Sequence, residues 1–168
     1  RVLATIGTAL GASALPAALR AQPAPALDTV RIVTGFPPGG TSDTICRRVA
    51  DKLRGTYAKN SVVENRTGAG GQLAIDLMRA APRDGSTLLQ TPASMLVIYP
   101  HIYRKLSYDP FNDLTPASLG CNFDFGFAVG PMVPASVRNV AEFVAWCKAN
   151  PDKANYGSPA AGSTPHFI

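Results

Sequence analysis

The chain is poor in charge, cysteine and histidine. Only 16% of its 168 residues are Asp, Glu, Lys or Arg, and the formal balance is +5. The basic residues stand singly or in pairs, as at Arg47-Arg48 and Arg104-Lys105, and no aromatics interleave with them to stack bases. Solvated faces account for them, and no nucleic-acid partner is expected. The cysteines, Cys46, Cys121 and Cys147, are odd in number, widely spaced and without CxxC, which fits neither a metal centre nor a disulfide framework. Two of them fall on apolar helical faces, where buried free thiols are expected, although an oxidising compartment leaves room for one pair. No GxGxxG, no Walker lysine and no GxSxG elbow occurs, so no cofactor and no acyl-transfer nucleophile is indicated.

A long unbroken hydrophobic run is also missing. The Ala-rich stretch Val2 to Leu19 is interrupted by Gly11 and Pro16, which makes it a poor membrane anchor, though of borderline length. It has no acidic residue and ends in the small-x-small pattern Leu19-Arg20-Ala21. Residues 1–21 therefore read as a secretory signal cut near Ala21, and residues 22–27 as a linker. Loss of Arg1 and Arg20 takes the net charge from +5 to +3.

What is abundant is glycine and proline, 15 of each, amid 46% apolar residues. They punctuate apolar runs in a repeating order. An apolar run, Val30 to Val33, leads into Thr34-Gly35-Phe36-Pro37-Pro38-Gly39-Gly40-Thr41-Ser42-Asp43 and then into apolar residues at helical spacing, Cys46, Val49, Ala50, Leu53 and Tyr57. The glycine pair permits positive φ, and Thr41 and Ser42 are placed to cap the helix. Open amides at such a helix start suit an anion, so a bound carboxylate or phosphate is the first functional expectation. Asp43 reads as a helix-start carboxylate, with pairing to a ligand ammonium group as the alternative.

The pattern repeats. Ser61 to Glu64 is followed by the turn Asn65 to Gly71, including Gly70 and Gly71, and by a helix from about Gln72 with Leu73, Ala74, Leu77, Met78 and Ala81 on one face. Ser86 to Gln90 gives a third strand, and Thr91-Pro92-Ala93-Ser94 a third hydroxyl-bearing turn before a helical Met95 to Tyr99. Parallel strands would gather all three turns on one sheet edge, where α/β proteins bind ligands. A doubly wound sheet is expected.

Farther on, Asn122 to Val129 alternates phenylalanines at 123, 125 and 127 with smaller residues, the pattern of a strand buried on one face. Trp146 and these phenylalanines read as core. Asn139 with Glu142 forms a capping box before the stripe Val140, Phe143, Val144 and Cys147, and Asn150-Pro151 stops that helix. Lys153 to Tyr156 reads as a last strand. The turn after it, Gly157 to His166, carries Ser158, Gly162, Ser163, Thr164 and His166, and repeats the chemistry of the first turn. Two such turns facing each other would clamp both ends of a small dianion. Ser158 or Ser163 with His166 lacks a nearby acid, so a locally bonded helix-start histidine is the simpler reading. Arg66 reads as a surface or inter-element ion pair, with a carboxylate contact as the alternative.

The order Arg31-Ile32-Val33, Phe36-Pro37-Pro38-Gly39-Gly40, Asp43, Val62-Val63-Glu64-Asn65-Arg66, Gly68-Ala69-Gly70-Gly71, Ala81-Pro82, Asp84-Gly85, Thr87-Leu88-Leu89, Tyr108-Asp109-Pro110, Tyr156-Gly157-Ser158, Gly162-Ser163 and His166 resembles the extracytoplasmic solute receptors of tripartite tricarboxylate transporters, the Bug or TctC-like family. The resemblance implies an α/β periplasmic-binding-protein fold of the Venus-flytrap, type II-like kind. It implies that this chain is incomplete, with residues 28–127 the N-terminal part of domain 1 and 128–168 the start of domain 2. Too little of the second domain would then be present to cover the 140–147 stripe. It also implies a periplasmic receptor that passes a small carboxylate (dicarboxylate, tricarboxylate, acidic amino acid or aromatic acid) to membrane components of a transporter. Ligand contacts would come from Pro38, Gly39, Gly40, Thr41, Ser42 and Asp43, from Gly70, Gly71, Thr91 and Ser94, and from Ser158, Gly162, Ser163, Thr164 and His166. Ala160 and Ala161 stand where relatives often carry glycine, which narrows that turn's conformations. A secreted α/β enzyme using the same sheet edge, or a fragment without function, is the alternative.

Overall fold

The computed structural model describes residues 27–167, so the expected signal and residues 22–26 lie outside the described residues. Strand β1, Leu27–Thr34, starts at the last residue of the expected linker. It is the middle strand of a three-stranded sheet of order β2-β1-β3, with β2 spanning Ala58–Asn65 and β3 Thr87–Gln90. Both pairings are parallel. Helix α1, Thr41–Leu53, connects β1 to β2; a 3-10 turn, Ala69–Gly71, and helix α2, Gln72–Ala80, connect β2 to β3.

Register explains why helices cover both faces. Ile32 stands opposite Val63 on one side and Leu88 on the other. These three side chains share a face, and Cys46, Ala50 and Leu53 of α1 pack on it. One residue along, side chains point to the opposite face. There Leu89, opposite Val33, joins Ile75 of α2. Met95 of α3, Ser94–Val97, and Tyr99 of α4, Tyr99–Ile102, complete that second core with Tyr108. The doubly wound arrangement is thus present.

Several local expectations fail for identifiable reasons. On α1, Val49 is 37% exposed and Tyr57, beyond the helix end, 38%. On α2 the deepest side chain is Ile75, while Leu73 is 49% exposed and lies over Gly68, because the helix enters through a glycine kink that rotates its face. Neither Thr41 nor Ser42 caps α1: the N-cap is Gly40, without a side-chain hydrogen bond, and both hydroxyl residues already lie inside the helix. Asn122 to Val129 forms no strand, since among the described residues no neighbour offers it a ladder. Phe123, Phe125 and Phe127 are correspondingly exposed rather than core. Lys153 to Tyr156 is no strand either, because Pro151 starts a 3-10 turn, Pro151–Lys153, on which the chain leaves the preceding helix.

That helix, α5, spans Val140–Ala149 and buries no residue. Asn139 accepts the Glu142 amide at 2.9 Å, the expected half of a capping box, but the Glu142 carboxylate reaches back to the amide of Arg138 instead of that of Asn139. Val140 is 70% exposed and Val144 43%, as expected for a stripe with little to cover it. Trp146 is half-buried and lies along Phe143, which also meets Phe127 edge-on. A last turn of helix, α6, spans Thr164–Phe167. Among the described residues no helix is long and apolar enough to cross a membrane.

Candidate functional site

Three parallel strands end at Thr34, Asn65 and Gln90, and their following turns meet at one edge. The first two turns approach each other backbone to backbone. A Cβ on Gly35 would stand 2.5 Å from Gly71 Cα. Gly71, at φ 96°, in turn sits against Met95 Sδ and the Phe36 ring. Asn65 ties the same turns by side chain, donating to Phe36 O at 2.9 Å and to Asp43 Oδ1 at 3.1 Å. The third turn joins through Thr91, whose hydroxyl lies 3.1 Å from Met95 Sδ, and through buried Ser94.

Asp43 is the hub of the first turn. It is 4% exposed, yet its carboxylate accepts the Gly39 amide at 3.0 Å and both Arg47 guanidinium contacts at 2.9 and 3.1 Å. The Arg47 hydrogen bond, then the Gly39 amide, hold its pKa down from the ordinary 3.8 to about 2. The carboxylate therefore serves the turn that carries it. Arg47 is more than half exposed, so salt screens its share. Because the folded pKa is depressed, the stabilisation is present above about pH 4, the unfolded value, and is lost as pH falls through about 2. Asp43→Asn should lower the melting midpoint at pH 7, and the gap to the unaltered protein should close between about pH 4 and pH 2. Melting curves across that range check it; a gap that persists at pH 2 would assign the loss to shape rather than charge.

Gly39 has φ 87°, where only glycine is unstrained, whereas Gly40 is extended at φ −80° and needs no such freedom. The expected conformational role thus falls to one glycine of the pair. Among the described residues, the amides of Thr41, Ser42 and Asp43 at the start of α1 have no protein acceptor, the first bond being from Thr44 to Gly40 O. Pro38 and Thr41 are exposed and Ser42 half-buried. Beside them lies an open groove of about 530 Å³, lined by Gly39, Gly40, Thr41, Arg48 and, across from them, Gly120 and Cys121. Sequence reads Arg48 as a solvated face and Cys121 as no more than one of three scattered thiols, because nothing in their spacing places residue 121 beside a helix start at 41.

The later turn folds on itself and onto α4. Ser163 is buried and donates to Ala160 O, and Ser158 reaches the same carbonyl at 3.4 Å. His166 is exposed and accepts the Gly162 amide through Nδ1 at 3.3 Å. Thr164 is half-buried at the start of α6. Gly162, at φ 79°, packs on Ile102, Tyr103 and Tyr99. Tyr99 donates to Gly70 O at 3.0 Å and Tyr103 to Ala161 O at 2.9 Å. The structure thus brings Gly70, Gly71, Thr91, Ser94, Gly162 and Ser163 around α3 and α4, and leaves Pro38 to Ser42 on the open side of the first turn. Sequence reasoning does not find Tyr99 and Tyr103 as organisers, because their partners lie 29 and 58 residues away.

Two of the cations near these turns are engaged, Arg47 with Asp43 and Arg66 with Glu64, which Arg31 also binds, whereas Arg48, on the groove wall, makes no ion pair among the described residues. Arg66 is thus in a local surface ion pair, and the pair that joins two strands is Arg31 with Glu64. Cys46, Cys121 and Cys147 are all free thiols; burial pushes the Cys46 pKa up to about 11, which makes it inert, while Cys121 is exposed. Among the described residues no three His, Cys, Asp or Glu side chains converge as a metal site.

Against known proteins, the chain is 34% identical over 165 residues to the "UPF0065 protein in gbd 5'region" of Cupriavidus necator, covering 98% of this chain and 49% of that protein. It therefore spans about half the length of the curated relatives it matches. The fold superposes on "R. palustris Rpa4515 with adipate" with a TM-score of 0.69 at 28% identity, over 82% of this chain and 45% of the other. "MatC (Rpa3494) from Rhodopseudomonas palustris with bound malate" gives 0.54 at 26% identity, over 74% and 42%. The architecture is that of periplasmic-binding-protein-like receptors, of which this chain represents a part. Residues 45–168 match the model described as "Tripartite tricarboxylate transporter family receptor", TctC, and the chain belongs to that family.

Proposed function

We propose that the intact protein is a periplasmic solute receptor that captures a small carboxylate and delivers it to the membrane components of a tripartite transporter, and that it catalyses no reaction. The observation that carries this reading is the set of open amides at Thr41, Ser42 and Asp43 on a groove that Arg48 also lines. Such a site offers carboxylate oxygens directed hydrogen bonds from the helix start, with the Arg48 charge beside them. Adipate and malate in the two superposed receptors support the ligand class. Residues 28–127 would supply the first part of domain 1 and 128–168 the start of domain 2, with Pro38 to Asp43, Gly70, Gly71, Thr91 and Ser94 on one side and Ser158 to His166 on the other. Export by a signal at 1–21 completes the proposal.

A thermal-shift screen of the intact protein against dicarboxylates, tricarboxylates, acidic amino acids and aromatic acids tests it. Ligand at a hundred times Kd should stabilise by about 2.7 kcal/mol. Gly39→Val should abolish most of that shift, because valine is strained at φ 87° and displaces the turn, whereas Arg66→Ala should change it little. No shift with any acid, together with turnover of a substrate, would sink the receptor reading; the reverse order of the two variants would replace backbone recognition by an ion pair.

A further inference from the structure

The segment from Gly157 to Phe167 makes its hydrogen bonds almost wholly within itself. Ser158, Ser163 and His166 bond to Ala160 or Gly162, and Tyr156 bonds to His166. Among the described residues a single hydrogen bond crosses from this segment to the sheet domain, from the Tyr103 hydroxyl to Ala161 O at 2.9 Å. The Tyr103 ring lies 4.8 Å from that of Tyr99, tilted at 51°, and the Tyr99 hydroxyl holds Gly70 O in the turn after β2. Beside that bond, Gly162 packs so closely on α4 that a Cβ there would stand 2.3 Å from Ile102 Cδ1. The turns that hold Gly70 and Ala161, far apart in sequence, thus hang on two tyrosine hydroxyls, one from α4 and one from the residue that ends it.

We propose that Tyr103 is a positioning residue: paired with Tyr99, it fixes the 157–167 turn relative to the Gly70 turn and so sets the separation of the two turns that hold ligand. This rests on the carboxylate-receptor reading above. The Tyr103 bond lies at the surface, so its loss frees the later turn without opening the core. A receptor whose two turns are held at fixed spacing avoids ordering them when ligand arrives, and it discriminates among diacids by length.

The test is Tyr103→Phe in the intact protein. In the ligand-free state, hydrogen exchange followed by mass spectrometry should show amides of 157–166 exchanging roughly fivefold faster, the factor for one net hydrogen bond, with β1 amides and the melting midpoint unchanged. Affinities for adipate and malate should fall by a similar factor and their ratio should change. Gly162→Ala, which pushes the same contact apart from the other side, should give the same pattern. Unchanged exchange at 157–166 overturns the proposal, and so does faster exchange spread through β1, which would make Tyr103 a part of the general fold. If the unaltered protein binds none of the acids of the thermal-shift screen, the receptor reading fails by itself, while the exchange data still decide whether Tyr103 tethers the turn.

Discussion

Gly35→Ala should lower the melting midpoint by about 5–10 °C, although alanine suits the backbone conformation there. Gly35 is not at positive φ, so no torsional strain is involved. The cost is contact: the added methyl would stand 2.5 Å from Gly71 Cα and 2.7 Å from Gly71 O. A flexible side chain could turn aside, but these are backbone atoms. Gly71 also has nowhere to retreat, since Met95 Sδ and the Phe36 ring occupy its other side. Overpacking of this kind costs about 1–3 kcal/mol, and rigid neighbours place it at the upper end. For a protein of roughly this size or larger, each kcal/mol moves the midpoint by about 2–4 °C. Gly126→Ala is the control, having nothing within 4 Å and no positive φ. Equal midpoints for the two variants would show that the turns after β1 and β2 do not touch. Because those turns carry the proposed ligand amides, Gly35→Ala should also weaken carboxylate binding in the folded fraction.

The strands of this fold were legible because each has both its cues nearby. Val30 to Val33 is a mostly apolar run closed by a Gly/Pro turn, and Ser61 to Glu64 and Ser86 to Gln90 each carry an apolar pair, Val62-Val63 and Leu88-Leu89, before a turn with Gly or Pro. Parallel order followed from the helices between them, and the sheet edge followed from the parallel order. Asn122 to Val129 has an equally good alternation and forms no strand. Periodicity states which face a strand would bury; it does not supply the neighbour whose amides complete the ladder. The site was legible in its turns and not in its braces. Glycine and hydroxyl residues mark Pro38 to Ser42 and Ser158 to Ser163, whereas Asn65, Tyr99 and Tyr103 act across distances that no local pattern records. Asp43 shows the limit within a single turn: its position at a helix start was readable and its bond to Gly39 is local, but its bond to Asn65 depends on β2 lying beside α1.

Tyr99→Ala should be among the most damaging single changes in the chain, and comparison with Tyr99→Phe separates two reasons. Tyr99 is fully buried and packs with Ile75, Met95 and Tyr108, with Phe36, Leu89 and Tyr103 around them. Removing the ring leaves a cavity between α2, α3 and α4 on the face of the sheet that carries Leu89. Truncation of a buried aromatic costs about 3–5 kcal/mol. Set against a typical total of about 5–15 kcal/mol, that unfolds much of the population under mild denaturant. Tyr99→Phe keeps the ring and removes only the donor to Gly70 O, a half-buried carbonyl that water can reach, so about 1 kcal/mol is expected. Urea midpoints of the intact protein measure both. The Phe variant should also loosen the Gly70 turn, because Gly70 sits at φ 65° and its carbonyl is aimed by that one hydroxyl. If the Ala and Phe variants lose the same stability, the ring contributes little and the hydroxyl is what holds the second core together. If the Phe variant alone leaves ligand affinity untouched, the Gly70 turn is positioned by its contact with Gly35 and Met95, and Tyr99 serves only to fill the core.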